Sequence, residues 1–344
     1  MIRRRLVGAL GGALGLAAVL GAGALSLSAC SPKSNGAADQ PKEIVFGILP
    51  AENQASMGPI WQPLLDDMSA QIGVKVTARY VSNYASLIEA MRFKQVQVGW
   101  FSALPALDAV QRSDGEVLGR IVDAGGDATY ASVLIAKKGS GITLDKVLAC
   151  GAKYSFGMAD AQSTSGTLAP LAYLFTPRGI EPAKCFKTVR SSSHQANSAA
   201  VANGVLDVAS NNTVGILFFK RENPKLADSL DILWTSPPLP ESSIVARKDL
   251  DPAIKEKMRQ FFLTYGTGTG PIADKQREVL KKMAYGGFRP ADDSYLDPIR
   301  EMQASEALGE ARHAGDPAKI AAAQAAYDKI HAAAEQKRAK EPNV

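Results

Sequence analysis

Residues 154–175 read YSFGMADAQSTSGTLAPLAYLF. The opening Tyr154-Ser155-Phe156-Gly157-Met158 has the length and apolar content of a short buried strand. Residues 168–175 have those of a helix, with Pro170 in its first turn, where a missing N–H costs no intrahelical bond. Between them, Ser163-Thr164-Ser165-Gly166-Thr167 gathers hydroxyls, a flexible glycine and free backbone N–H groups where the helix begins. The first N–H groups of a helix are orphan donors and the macrodipole places partial positive charge there. A phosphate-like oxyanion over Ser163-Thr164-Ser165-Gly166-Thr167 therefore meets donors without a lysine. An ordinary Ser/Thr N-cap is the plainer alternative.

Outward from this unit, short apolar runs alternate with amphipathic segments, the pattern of an α/β protein. Strands are expected over 44–49, 74–78 and 96–101, and helices over 60–72 and 84–93, the second with Leu87, Ile88 and Met91 on its apolar face. A second block, 144–234, holds the serine loop, strands at 186–189, 206–210 and 232–234, and a helix over 195–203. Two extended apolar segments, 130–136 and 243–246, flank that block and are expected to serve as hinge strands. A lobe inserted between them leaves and re-enters the first lobe at one edge, with ligand bound in the cleft between lobes. The remainder from Pro252 is expected to be helical and to return to the first lobe, with the Ala-rich 317–337 as a long surface helix. About 300 residues beyond the leader exceed one ordinary core, which also predicts two domains.

The leader itself is legible. Arg3-Arg4-Arg5 precedes an uncharged Leu/Ala/Gly-rich run over 6–29, the charge and apolar pattern of an export signal. Its end, Leu27-Ser28-Ala29-Cys30, resembles a bacterial lipobox, which makes Cys30 the lipidated first residue of the mature chain. An uncleaved membrane anchor is the alternative, since the run is long enough to span a bilayer. Residues 31–41, SPKSNGAADQP, then form a polar tether. The expected division is a signal peptide over 1–29, lipidated cysteine and tether over 30–41, a first lobe over 42–136 and 245–344, and a second over 137–244. The formal net charge is +5, but residues 1–29 carry three arginines and no acid, which leaves the mature chain at about +2. No basic run is interleaved with aromatics, which argues against nucleic acid. His194, His313 and His331 share no metal-ligand spacing with the cysteines, and no metal or cofactor is expected.

Cys150 and Cys185 remain for an oxidising compartment. Each lies just before a strand, and the two strands bracket one crossover helix. In a right-handed βαβ unit such strands can be parallel neighbours, which brings their N-terminal ends together. A disulfide and two free buried thiols are both compatible with this.

Several segments in order carry a family resemblance from about residue 44 to 308. They are Asn83-Tyr84-Ala85, Met91-Arg92-Phe93, Asp160-Ala161-Gln162-Ser163-Thr164-Ser165-Gly166, the His194 segment, and Ala200-Val201-Ala202-Asn203. Farther on come Asp207-Val208-Ala209 with Asn211-Asn212-Thr213, then Ser236-Pro237 through Pro240, and Phe261-Phe262 through Tyr265-Gly266. The chain resembles the phosphonate-binding subunits of ABC transporters, the PhnD family of solute-binding proteins. The resemblance implies a two-lobe (type II) periplasmic-binding-protein fold, each lobe a mixed sheet flanked by helices. It also implies delivery of a phosphorus oxyanion to permease and ATPase subunits on the periplasmic side of a bacterial membrane. Carried onto this chain, it has Ser163, Thr164 and Ser165 grip the phosphonyl oxygens, with phenolic donors from Tyr84 and Tyr130 and an imidazole N–H from His194. An ionised phosphonate offers only acceptors, and these side chains all donate. Taken alone, the tyrosines read as half-buried packing residues and His194 as a solvated loop histidine.

Two departures bear on the ligand. Where family members that take aminoalkyl phosphonates carry carboxylates, this chain has Val214 and Ser242. A buried ammonium without a carboxylate partner is costly, so the resemblance implies a smaller or uncharged-tail ligand such as phosphite or methylphosphonate, and discrimination against 2-aminoethylphosphonate. Glu241, beside Ser242, could supply the missing charge. An enzyme is not expected: Ser163 or Ser165 with His194 and Asp207 can be imagined as a triad, but no Gly-x-Ser-x-Gly elbow is present. A binding protein serving a signalling partner is the other alternative, since the same closure can address a kinase or a permease. The C-terminal helix is open to two readings, a homodimer contact as the family implies, or a solvated surface.

Overall fold

The computed structural model describes residues 42–52 and 54–340. The expected signal peptide, Cys30 and the tether lie outside the described residues. In chain order the strands are β1 (Glu43–Ile48), β2 (Lys75–Tyr80), β3 (Val98–Phe101), β4 (Gly115–Asp123), β5 (Thr129–Tyr130), β6 (Ser132–Lys137), β7 (Ser155–Met158), β8 (Thr188–Ser191), β9 (Val208–Asn212), β10 (Leu230–Thr235), β11 (Leu239–Pro240), β12 (Ser243–Arg247) and β13 (Tyr285–Arg289). They build a six-stranded sheet, β13-β4-β12-β3-β1-β2, and a five-stranded sheet, β10-β6-β9-β7-β8, with β5 and β11 paired between them in sequence. Both sheets are mixed. β1 runs parallel to β2 and β3, while β12 is antiparallel to β3 and β4. In the second sheet β7 is parallel to β8 and β9, and β6 is antiparallel to β9 and β10.

Each sheet buries its own aromatic core. The helix Gln54–Ile72 turns Met57, Trp61, Leu64, Leu65, Met68 and Ile72 inward at helical spacing, each such burial being favourable by about 1.5–3 kcal/mol. Trp61 meets Phe46 of β1 and Trp100 of β3, both at 5.4 Å between ring centroids. This helix begins before residue 60, where the apolar spacing starts, and accommodates Pro59 and Pro63 inside it. In the second sheet Phe156 of β7 stacks on Phe186 at 4.4 Å and meets Phe175 edge-on at 5.7 Å. Cys150 and Cys185 are disulfide-bonded, Cα to Cα 4.5 Å, at the start of the parallel β7/β8 pair.

Two expectations need correction. The segments 130–136 and 243–246 do not bridge the sheets as hinge strands. β6 lies inside the second sheet and β12 inside the first, each paired on both sides and buried along nearly its whole length, which is why both are apolar without alternation. The chain passes between sheets instead at 124–131 and 236–242, where β5 and β11 pair antiparallel, Tyr130 opposite Leu239. The second sheet accordingly draws on residues 132–235. The chain after Pro252 is also not wholly helical, because β13 forms an edge of the first sheet. Its Gly286 would place a Cβ 2.2 Å from the Asp123 carbonyl oxygen; the strand needs the two glycines that weaken its apolar pattern.

The C-terminal helices Asp297–Ala314 and Pro317–Lys340 turn at Gly315, which has the left-handed conformation of a helix-terminating glycine. The first of them reaches the second lobe. Thr176 Oγ1 donates to Glu306 Oε1 at 2.9 Å, and a Cβ at Gly309 would sit 1.9 Å from Thr176 Cγ2. Among the described residues no helix is long and apolar enough to cross a membrane.

Candidate functional site

The helical run after β7 begins at Thr164, earlier than 168, because its first turns are wide. The Leu168 N–H donates to the Ser163 carbonyl five residues back, at 3.0 Å. Such wide turns recur at functional sites. Ser163 caps the run, its Oγ accepting from the Gly166 N–H at 3.0 Å. At Gly166 a Cβ would fall 2.0 Å from Ala159 Cβ and 2.9 Å from His194 Cε1, so only glycine fits. The loop is braced from behind by β6 and β9. Ser132 Oγ donates to the Ser165 carbonyl at 2.6 Å, Ser210 Oγ to the Gly166 carbonyl at 2.5 Å, and Asn212 Nδ2 to Ser165 Oγ at 3.1 Å. The Ser165 and Gly166 carbonyls are thus held by the protein, and the Ser163 and Ser165 side chains line the cleft.

Tyr84 approaches from the first lobe, at the start of the helix Tyr84–Arg92 capped by Asn83. Its backbone N–H donates to Asp160 Oδ2 at 3.2 Å, and its hydroxyl hydrogen-bonds Ser163. Tyr130, in β5, hydrogen-bonds Ser165 and Thr164. Burial raises both phenols well above the usual tyrosine range, so each keeps its proton and remains a donor. His194 opens the helix His194–Ala202 and is buried, not solvated. Its Nε2 lies 3.4 Å from Ser163 Oγ and its Nδ1 has no partner. Burial pushes the imidazole down to about 4, which leaves it neutral at pH 7 with one N–H to give.

Ser163, Ser165, Tyr84, Tyr130 and His194 converge on one cavity between the sheets, of about 70 Å³. A single water needs only ~10–15 Å³ on this scale, so the space suits a small oxyanion. Val214 and Ser242 also line it. Thr164 stands apart from that wall. Its Oγ1 accepts from the Leu104 N–H at 2.8 Å and donates to Ser102 Oγ at 3.3 Å, tying the loop to the first lobe.

Among the cavity residues that escaped the sequence reading are Glu52, Trp100, Asn212 and Phe218. Trp100 Nε1 is buried without a partner, one more donor facing inward. Asn212 stood in a quoted motif, and its Oδ1 accepts from the Gly215 N–H at 2.7 Å while its amide braces Ser165. Glu241, considered as a substitute carboxylate, also lines the cavity, but its Oε1 accepts from the Ser242 N–H at 2.8 Å. Among the described residues no lysine or arginine lines the cavity, and its apolar lining includes Met57, Ile60, Trp61, Val214, Phe218 and Met283. The imagined triad is not assembled, since Asp207 Oδ2 accepts from the Ser155 N–H and Oγ, at 2.8 and 2.7 Å, rather than from His194.

Two mixed sheets, joined by two passages that pair with each other and enclosing a donor-lined cleft, define a type II periplasmic binding protein. The sequence model for the periplasmic substrate-binding protein of the phosphonate ABC transporter matches residues 46–296. The phosphonates-binding periplasmic protein of Escherichia coli (strain K12) is 38% identical over 267 residues, covering 77% of each chain. This chain belongs to that family, the periplasmic substrate-binding components of phosphonate ABC transporters. A crystal structure of a binding-protein component of an ABC phosphonate transporter from Pseudomonas aeruginosa is 35% identical, with a TM-score of 0.82 over 87% of this chain and 100% of that one. A Prochlorococcus marinus protein solved in complex with methylphosphonate shares the fold at 22% identity, TM-score 0.68, over 76% of this chain and 97% of that one. These relatives are transporter components, not enzymes.

Proposed function

We propose that this chain captures a phosphonate or a related phosphorus oxyanion between its lobes and hands it to permease and ATPase subunits. The observation that carries this is the Ser163-Thr164-Ser165-Gly166 loop. The Ser165 and Gly166 carbonyls are occupied from behind, and the Ser163 and Ser165 hydroxyls meet two protonated tyrosines and a neutral histidine in front. Such a shell offers donors to a ligand that has only acceptors. Within this reading Ser163, Ser165, Tyr84, Tyr130 and His194 contact the ligand, and Thr164 adds its backbone at the helix start. The two lobes divide at the paired passages, and Cys30 carries a lipid that holds the protein on the periplasmic side of the membrane.

The ligand tail is small and uncharged, as in methylphosphonate, or absent, as in phosphite. Val214 and its apolar neighbours favour this, and Glu241 is turned onto Ser242. Calorimetric titration of the mature protein with phosphite, methylphosphonate, phosphate and 2-aminoethylphosphonate decides between these ligands. Saturable binding of phosphite or methylphosphonate, with 2-aminoethylphosphonate at least about tenfold weaker, is expected from a missing charge partner. Tight 2-aminoethylphosphonate binding would refute the tail assignment, and no binding of any of them would refute the oxyanion reading.

A further inference from the structure

Glu52 is the one carboxyl in the cavity wall that the reading above leaves without a role. It sits in the loop after β1, is only 9% exposed, and its Oε2 is buried with no partner. The backbone N–H of Gln195 hydrogen-bonds the carboxyl across the cleft. Gln195 adjoins His194, whose Nε2 faces Ser163 Oγ, and Glu52 also lies within electrostatic reach of the Tyr84 hydroxyl. The free oxygen therefore belongs to the oxyanion end of the cavity.

We propose that Glu52 binds the ligand as a protonated carboxylic acid, donating an O–H from Oε2 to a phosphoryl oxygen, so that uptake of the oxyanion is linked to one proton held by Glu52. Among the described residues an ionised carboxylate there would find no cation to pair with, and it would repel the ligand. The groups that face Glu52 act in the same direction. Glu222, on the helix Thr213–Glu222, adds negative charge; Tyr84 and His194 are neutral; the Gln195 N–H is the one group that favours the anion. Burial and Glu222 together push the Glu52 carboxyl up to about 8. The acid form is thus the prevailing one at pH 7, and a bound oxyanion would hold the proton more firmly still.

This inference rests on the oxyanion reading, and one experiment separates the two. Methylphosphonate is titrated into wild type, Glu52→Gln and Glu52→Ala from pH ~6 to ~9.5, each variant being checked for an unchanged melting temperature at pH ~7. Glutamine keeps an N–H donor at that place but cannot lose it. Relative to Glu52→Gln, wild-type affinity should be level below pH ~8 and then fall, approaching tenfold per pH unit. Glu52→Ala should bind about tenfold more weakly than Glu52→Gln at every pH. A constant wild-type to Glu52→Gln ratio across the range overturns the proton linkage while leaving the oxyanion reading intact. A ratio that rises with pH in favour of wild type overturns it too, because Glu52 would then act as an ionised acceptor. Absence of methylphosphonate binding by wild type at all pH values overturns both.

Discussion

Tyr84 Oη reaches Ser163 from the opposite lobe while its backbone N–H engages Asp160, and this double attachment separates binding from folding. Replacing Tyr84 by Phe removes a ligand-facing donor but preserves the buried ring and the main-chain bond. Affinity for the oxyanion should fall about tenfold, the loss of one hydrogen bond, with the melting temperature nearly unchanged; an unaltered dissociation constant would remove Tyr84 from the site. His194 makes a different prediction, on stability. Its folded value of about 4 lies below the ordinary 6.5, so the unfolded chain binds the extra proton first as pH falls. The stability held by the neutral imidazole is full above pH ~6.5 and declines toward pH ~4, by up to about 3 kcal/mol. Urea unfolding of wild type and His194→Gln across that window should show the slope in wild type and a shallower one in the variant. The serine loop stood out in the sequence because hydroxyls cluster at a helix start, whereas Tyr84, Tyr130 and His194 entered only through the family resemblance; the structure puts Ser163, Ser165 and these three on one cavity. Glu52 and Trp100 were not legible, since each becomes part of the cavity only when the two sheets come together.

At the scale of elements, the loop's chemistry depends on how closely β7, the wide-turned helix and His194 approach one another. Gly166→Ala would drive a methyl against Ala159 and His194. The expected result is loss of oxyanion binding by at least about tenfold together with a loss of stability in the 1–3 kcal/mol range of overpacking, measured by titration and thermal melting; normal affinity would show that the loop tolerates displacement. The nearness of the β7 and β8 starts was readable, because a parallel crossover brings two strand starts together, but whether Cys150 and Cys185 bond was left open by the sequence. The passages between sheets were misread by a few residues, because uniformly apolar β6 and β12 look like isolated connectors when they are interior strands. β13 was missed because Gly286 and Gly287 interrupt the strand signal, the first for a close approach to Asp123 and the second for a positive φ. Each miss traces to a demand of tertiary packing that overrode the local pattern.

At the scale of the molecule, the two sheets meet around the cavity through contacts that use the same short stretch of chain. Asp160 accepts from Tyr84, Thr164 engages Ser102 and Leu104, and Ser163 and Ser165 meet the phenols of Tyr84 and Tyr130. Ligand capture and lobe closure are therefore one event in this account, since the loop that grips the oxyanion also closes against the first lobe. A crystal structure of the mature protein grown with methylphosphonate tests this most directly. The account predicts the phosphorus between the lobes, its oxygens within hydrogen-bond distance of Ser163, Ser165, Tyr84, Tyr130 and His194, and the methyl group toward Val214. A phosphorus atom bound away from the Ser163 loop, or contacted by only one lobe, would contradict it.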